Sequence, residues 1–152
     1  MSLEDDIQQR SFRNIQHKST VNLLYTISWL NSQISPYFKN SGITSQQFNV
    51  LRILKGSHPR SMCQKDVKCR MIAPNSNVTL IIKKLIDKEL VQVAQAMHDK
   101  REYKINITDT GMTLLDDIAK RIQRDDNRYN NLTVSEAFHL NALLDKMRSD
   151  TE

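Results

Sequence analysis

Residues 73–107, APNSNVTLIIKKLIDKELVQVAQAMHDKREYKINI, change their hydrophobic period once, and that change limits what the chain can fold into. In the first part Val78, Ile81, Ile82, Leu85 and Ile86 recur at i, i+3, i+4, i+7 and i+8, the single apolar stripe of an amphipathic helix. Asn77, Thr79, Lys83, Lys84 and Asp87 fall on the opposite side. Pro74 presets the entry, and Asn75 or Ser76 is placed to cap the first free N–H groups. Beyond Leu90 the period drops to two. Val91 and Val93 alternate with glutamines, and Tyr103, Ile105 and Ile107 alternate with Lys104 and Asn106, the pattern of half-buried strands. Met97, His98, Asp99, Lys100 and Arg101 lie between the two runs and turn the chain with a charged tip.

The segments on either side complete a mainly α fold with one small β-hairpin. A first helix is expected over about residues 5–37, carrying Leu23, Ile27, Leu30 and Ile34 as a stripe and ended by Pro36 and then Asn40, Ser41 and Gly42. At over 30 residues it outruns one small domain, so part of it is expected to pack on a second subunit. Thr44 and Gln47 form a capping box for a second helix, with Ile43 stapling against Phe48 and with Phe48, Leu51 and Leu54 turned inward. Gly56 and a loop over 57–61 lead to a short helix over 64–71, and Ile72, Ala73 and Pro74 turn into the helix described above. Two helices joined by a short turn and followed by a hairpin with a basic tip make a winged helix-turn-helix. Thr108 then caps a helix with Leu114, Leu115, Ile118 and Ile122, whose charged end over 120–128 is expected in solvent or along a partner. Thr133 and Glu136 cap a last helix carrying Phe138, Leu140, Leu143, Leu144 and Met147.

At 152 residues the chain suits a single domain with one core. Its +5 formal charge is unevenly placed. Residues 60–104 hold 10 Lys and Arg against 5 Asp and Glu, and the remainder is neutral. All the excess positive charge therefore sits in the helix-turn-helix and wing, as on a phosphate-binding face. No run approaches the roughly 18–20 apolar residues of a membrane span. The acidic start, Met1 to Asp6, is no secretory signal, and the cytoplasm is the expected location.

The helix, then Leu90 and Val91, then Asp99 and Arg101 in the wing, then Ile107, Thr108, Thr110 and Gly111 resemble the MarR family of bacterial transcription regulators. The specific part of the resemblance runs over about residues 43–115. It implies a two-fold homodimer built from dimerisation helices at 1–40 and 109–152, with a DNA-binding lobe at 43–107. It implies, too, a palindromic double-stranded operator. Arg101 would enter the minor groove, where narrow A·T-rich tracts concentrate negative potential, and Asp99 would orient it. Asn75, Ser76, Asn77, Thr79, Leu80 and Lys83 would lie on the recognition face, with Asn77 a candidate for adenine. Lys84, Lys65 and Lys100 would hold phosphates, which position without specifying. Tyr25, Trp29, His17 and Phe48 would line a cavity for a small aromatic ligand. A repressor released by such a ligand is the function implied.

Two departures from the family's pattern bear on function. Leu80 stands where an arginine is common, so no bidentate guanine contact is available there, although a thymine methyl could pack on it. Glu89 and Leu90 replace a usual glycine turn, so a non-glycine residue is expected to hold a positive φ.

Cys63 and Cys69, six apart on a short helix, face different ways, which argues against an intrachain disulfide. With His58 the sole nearby histidine they make no metal constellation, and two reduced thiols are expected. No phosphate loop, metal-binding His pair or nucleophile elbow appears, so neither an enzyme nor a cofactor is implied. Asp116, Asp117, Asp125 and Asp126 are read as charged helix surface. The alternative function is a winged helix used as a protein-interaction module, since fold alone does not dictate function. That alternative needs an apolar recognition face, which Leu80 hints at and Lys83, Lys84 and Arg101 oppose.

Overall fold

The computed structural model describes residues 2–95, 103–125 and 131–149. In chain order the elements are α1 (Leu3–Asp6), α2 (Ile15–Asn40), α3 (Ser45–Lys55), α4 (Gln64–Cys69), α5 (Val78–Ile86), β1 (Val91–Gln95), β2 (Tyr103–Ile107), α6 (Asp109–Asp125) and α7 (Val134–Arg148). The main core runs from Phe38 to Ile118 and is built from the end of α2, then α3, α4, α5, the hairpin and α6. Val50, Leu51, Val67, Leu85 and Ile118 are its most enclosed side chains.

The expected first helix over 5–37 is two pieces. Ser2 and Asp5 close a capping box on the one-turn α1, and Gln8 then takes φ 53, which no helix continues through. The Glu4–Lys18 ion pair and the buried Leu3 fold this arm back on the start of α2. Asn14 begins α2 by accepting a hydrogen bond from the His17 N–H at 2.8 Å. Pro36 does not end α2, which continues to Asn40. Both Pro36 and Ser32, whose carbonyl loses its helical donor there, lie on an exposed part of the helix, where solvent can reach that carbonyl. The helix stops where Gly42 takes φ 68.

Both helices with S/T-x-x-E/Q starts have their capping boxes formed, Thr44 with Gln47 on α3 and Thr133 with Glu136 on α7. The Thr133 hydrogen bonds hold the Glu136 carboxyl below its usual range. Phe48 is half-buried, its ring 5.0 Å from Phe38. The hairpin pairs Val91 with Ile107 and Val93 with Ile105, antiparallel, so the alternating residues expected inside do face the core. Tyr103 is the exception, exposed in the pair farthest from Val91 and Ile107. Glu89 takes φ 58, the positive value expected of a non-glycine residue in that turn.

Thr108 accepts from the Gly111 N–H at 3.0 Å and donates to the Glu89 carbonyl at 2.7 Å, joining the start of α6 to the turn before β1. At Gly111 a Cβ would stand 2.2 Å from the Leu90 carbonyl oxygen, so only glycine lets α6 approach the hairpin this closely. The charged end of α6 is not loose. The Tyr37 hydroxyl donates to the Asp125 carboxylate at 2.6 Å and ties it to α2.

α7 is built differently. None of its residues is buried, and Phe138, Leu143 and Met147 are more than half exposed. Leu24, Ile27 and Trp29 on α2 are exposed as well. The winged-helix lobe is thus a finished core, and the two outer helices carry apolar surface that the described residues leave uncovered.

Candidate nucleic-acid interface

The interface candidate is the outer face of α5 with its neighbours on α4 and the hairpin. Val78, Ile81, Ile82 and Leu85 are buried, which turns Thr79, Leu80, Lys83 and Lys84 outward. Ile86, the last member of the apolar stripe, is 41% exposed and Leu80 46%. The turn into α5 is held from behind by buried Asn49 on α3, whose side-chain oxygen accepts from the Ile72 N–H at 2.9 Å. An extra bridge secures the hairpin. Met62 and Ile105 exchange backbone hydrogen bonds of 3.0 and 2.8 Å, pinning β2 to the chain just before α4.

The start of α5 lies later than expected. Neither Asn75 nor Ser76 caps it. Asn77 does, its side-chain oxygen accepting from the Leu80 N–H at 3.1 Å. This gives Asn77 a structural task that competes with base reading. Using both carboxamide atoms on adenine would release the cap, at a cost of about 1 kcal/mol. Asn75 is exposed and Ser76 half-buried in the preceding turn.

Gln64, the first residue of α4, donates from its amide to the Thr79 hydroxyl oxygen at 2.5 Å. Sequence periodicity had no means of finding this residue, because its importance arises from a contact between two helices. Lys65 is exposed beside it. Gln64, Lys65, Thr79 and Lys83 sit at a cleft of about 550 Å³ whose apolar wall includes Ile82, Val93 and Ile105. Asp99, Lys100 and Arg101 lie outside the described residues, in the segment between the paired Gln95 and Tyr103.

The expected ligand cavity does not assemble within one chain. Phe48 packs on Phe38, near the C-terminal end of α2, whereas His17 is near its start and accepts from the Arg13 N–H at 3.3 Å. Helical rise separates His17 from Phe38 by about 30 Å, so His17 and Phe48 cannot line the same pocket. Tyr25 is half-buried and Trp29 exposed between them. Cys63 and Cys69 are free thiols, half-buried and exposed respectively. Among the described residues no group of three or more His, Cys, Asp or Glu is arranged to hold a metal, and no helix is long and apolar enough to cross a membrane.

Comparison with known proteins agrees with this architecture. Residues 43–103 match the model of the MarR family. No curated protein sequence matches the chain. Among solved structures, AbsC from Streptomyces coelicolor, a MarR family transcriptional regulator, superposes with a TM-score of 0.79 at 17% identity, over 91% of this chain and 95% of that one. BpsR from Bordetella bronchiseptica, whose DNA binding is regulated by 6-hydroxynicotinic acid, gives 0.78 at 19% identity, over 92% and 100%. A mutant MarR from E. coli in complex with operator DNA gives 0.75 at 19% identity, over 98% and 100%. At these identities the structural likeness establishes the fold, a winged helix-turn-helix flanked by helices, while the sequence match over residues 43–103 is to the MarR family.

Proposed function

We propose that the chain is a sequence-specific, double-stranded-DNA-binding transcriptional regulator that works as a homodimer. The observation that carries this reading is the α5 face: a rigidly backed helix with Thr79, Lys83 and Lys84 outward, beside Lys65, in the segment that holds all the excess positive charge. Phosphate attraction supplies affinity there and the polar helix face supplies sequence reading. Arg101 is assigned to the minor groove beside this face, with Asp99 orienting it and Lys100 on phosphate. Asn75 and Ser76 border the face, and Leu80 is placed for a thymine methyl.

The second subunit is a second copy, its contact made by α2 and α7. Fully burying an exposed side chain of this kind is worth on the order of 1.5–3 kcal/mol, and Leu24, Ile27, Phe138, Leu143 and Met147 each keep about half or more of their surface exposed for a partner to cover. Two identical lobes then present two α5 helices to an inverted repeat. Repression released by a small ligand is a further part of the reading, suggested by the ligand-regulated BpsR. It requires a ligand that prefers the dimer state with the wrong helix spacing. With His17 and Phe48 so far apart, the ligand site cannot be the one named from the sequence unless the partner subunit completes it.

Selection of bound duplexes from a random DNA pool at near-physiological salt tests the function. Enrichment of an inverted repeat with half-sites about one helical turn apart is expected. Recovery of unenriched DNA would sink the regulator reading and favour the protein-interaction module, for which Leu80 and Ile86 supply the exposed apolar residues.

A further inference from the structure

The geometry points to Gln64 as a base-reading residue, with Thr79 as the positioning residue that holds its amide in place; this rests on the DNA-binding reading above. Gln64 belongs to the first helix of the helix-turn-helix, yet its side chain does not stay there. It reaches across to Thr79, the second residue of α5, at 2.5 Å. The N-terminal residues of a recognition helix are the ones that meet base edges, so this bond places the Gln64 amide at the end of α5 that enters the groove.

The hydrogen-bond inventory shows what remains available. A glutamine amide has two N–H donors and a carbonyl acceptor, and Thr79 takes one donor. The other N–H and the carbonyl form the donor–acceptor pair that matches N7 and N6 of adenine in the major groove. Thr79 accepts one bond through its oxygen and keeps its own O–H for a neighbouring acceptor. Both residues are exposed among the described residues, so a duplex can meet them there. A free glutamine would lose considerable rotamer freedom on binding, and the Thr79 bond has already removed much of it. Asn77 is meanwhile occupied as the α5 cap, which makes Gln64 the better-placed carboxamide for adenine.

The test runs the duplex selection with the wild type, Gln64→Ala, Thr79→Val and the double variant, followed by affinity titrations at several salt concentrations. The wild type should enrich a repeat with one A·T pair strongly preferred in each half-site. Gln64→Ala should enrich the same repeat with that position randomised, and should lose roughly 5- to 100-fold in affinity per half-site on the wild-type sequence. Its salt slope should not change, because no charge is removed. Thr79→Val should lose less, and the double variant should lose less than the sum of the two single losses, because the pair is coupled. A Gln64→Ala pool identical to the wild-type pool, with affinity within twofold, overturns the assignment while leaving the regulator reading intact. A loss of equal size on every sequence also overturns it, since that marks mere support. If the wild type enriches nothing, the regulator reading fails and takes this inference with it.

Discussion

At the residue scale, polar side chains near α5 divide into those committed to the protein's own backbone and those left over. Asn49 holds the Ile72 N–H, Asn77 holds the Leu80 N–H and Thr108 holds the Gly111 N–H. Asn77 and Thr108 each satisfy a donor that the first turn of a helix would otherwise strand, and Asn49 satisfies one in the turn between α4 and α5. Lys65, Lys83 and Lys84 are exposed, and the proposed function assigns them to the DNA face. Arg101, which lies outside the described residues, is proposed to add a DNA contact of its own. Arg101→Ala is expected to weaken operator binding about tenfold and to lower the slope of log affinity against log salt by about 1, with the dimer intact. Anisotropy titrations across a salt series check this, and an unchanged slope would remove Arg101 from the interface.

At the element scale, close approach rather than propensity sets the relation of the hairpin to α6. The motif Ile107, Thr108, Thr110, Gly111 has a physical cause in this fold. Thr108 caps α6 and reaches back to Glu89, and Gly111 lets the helix backbone rest against the Leu90 carbonyl. Gly111→Ala would drive a methyl to 2.2 Å from that oxygen and 2.9 Å from Ile107 Cγ1, so backbone must shift. A loss of roughly 3 kcal/mol, at the upper end for overpacking, is expected. For a chain of this size that is a fall in Tm of about 6–12 °C, read by calorimetry at fixed protein concentration. Equal stability of the variant would mean that the helix sits farther from the hairpin than described. The same scale explains the divided first helix. Its apolar pattern does not mark the break at Gln8, which becomes visible only through the Glu4–Lys18 pairing that folds the arm back.

At the scale of the whole molecule, the buried core and the uncovered helices belong to different tasks. The core spans 38–118 and holds the α5 face rigid, whereas no residue of α7 is fully buried among the described residues. If α7 packs on a second copy, Phe138→Asp should raise the dimer dissociation constant by about 30-fold or more, the effect of losing a buried aromatic anchor. The variant should keep its helix content, since Phe138 is already 73% exposed in the single chain. Sedimentation velocity over a concentration series gives the dissociation constant and circular dichroism the helicity. A variant that remains as dimeric as its parent would show that the contact lies elsewhere.

Much of this protein was legible without coordinates because local rules govern it. The stripe from Val78 to Leu85, the alternation of Val91, Val93, Ile105 and Ile107, and the capping boxes at Thr44 and Thr133 depend only on neighbours within a few residues. Periodicity and caps encode exactly such short-range terms, and so the helix-turn-helix, the wing and the family resemblance could be read directly. Contacts between distant elements were another matter. That Asn77 rather than Asn75 or Ser76 starts α5, that Tyr37 anchors the end of α6, and that Gln64 meets Thr79 were decided by the tertiary structure. The same holds for the separation of His17 from Phe48, which follows from the uninterrupted length of α2 and from the packing of Phe48 at its far end. Side-chain identity shows what a residue can bond to, but only the packing of distant elements brings a partner within reach.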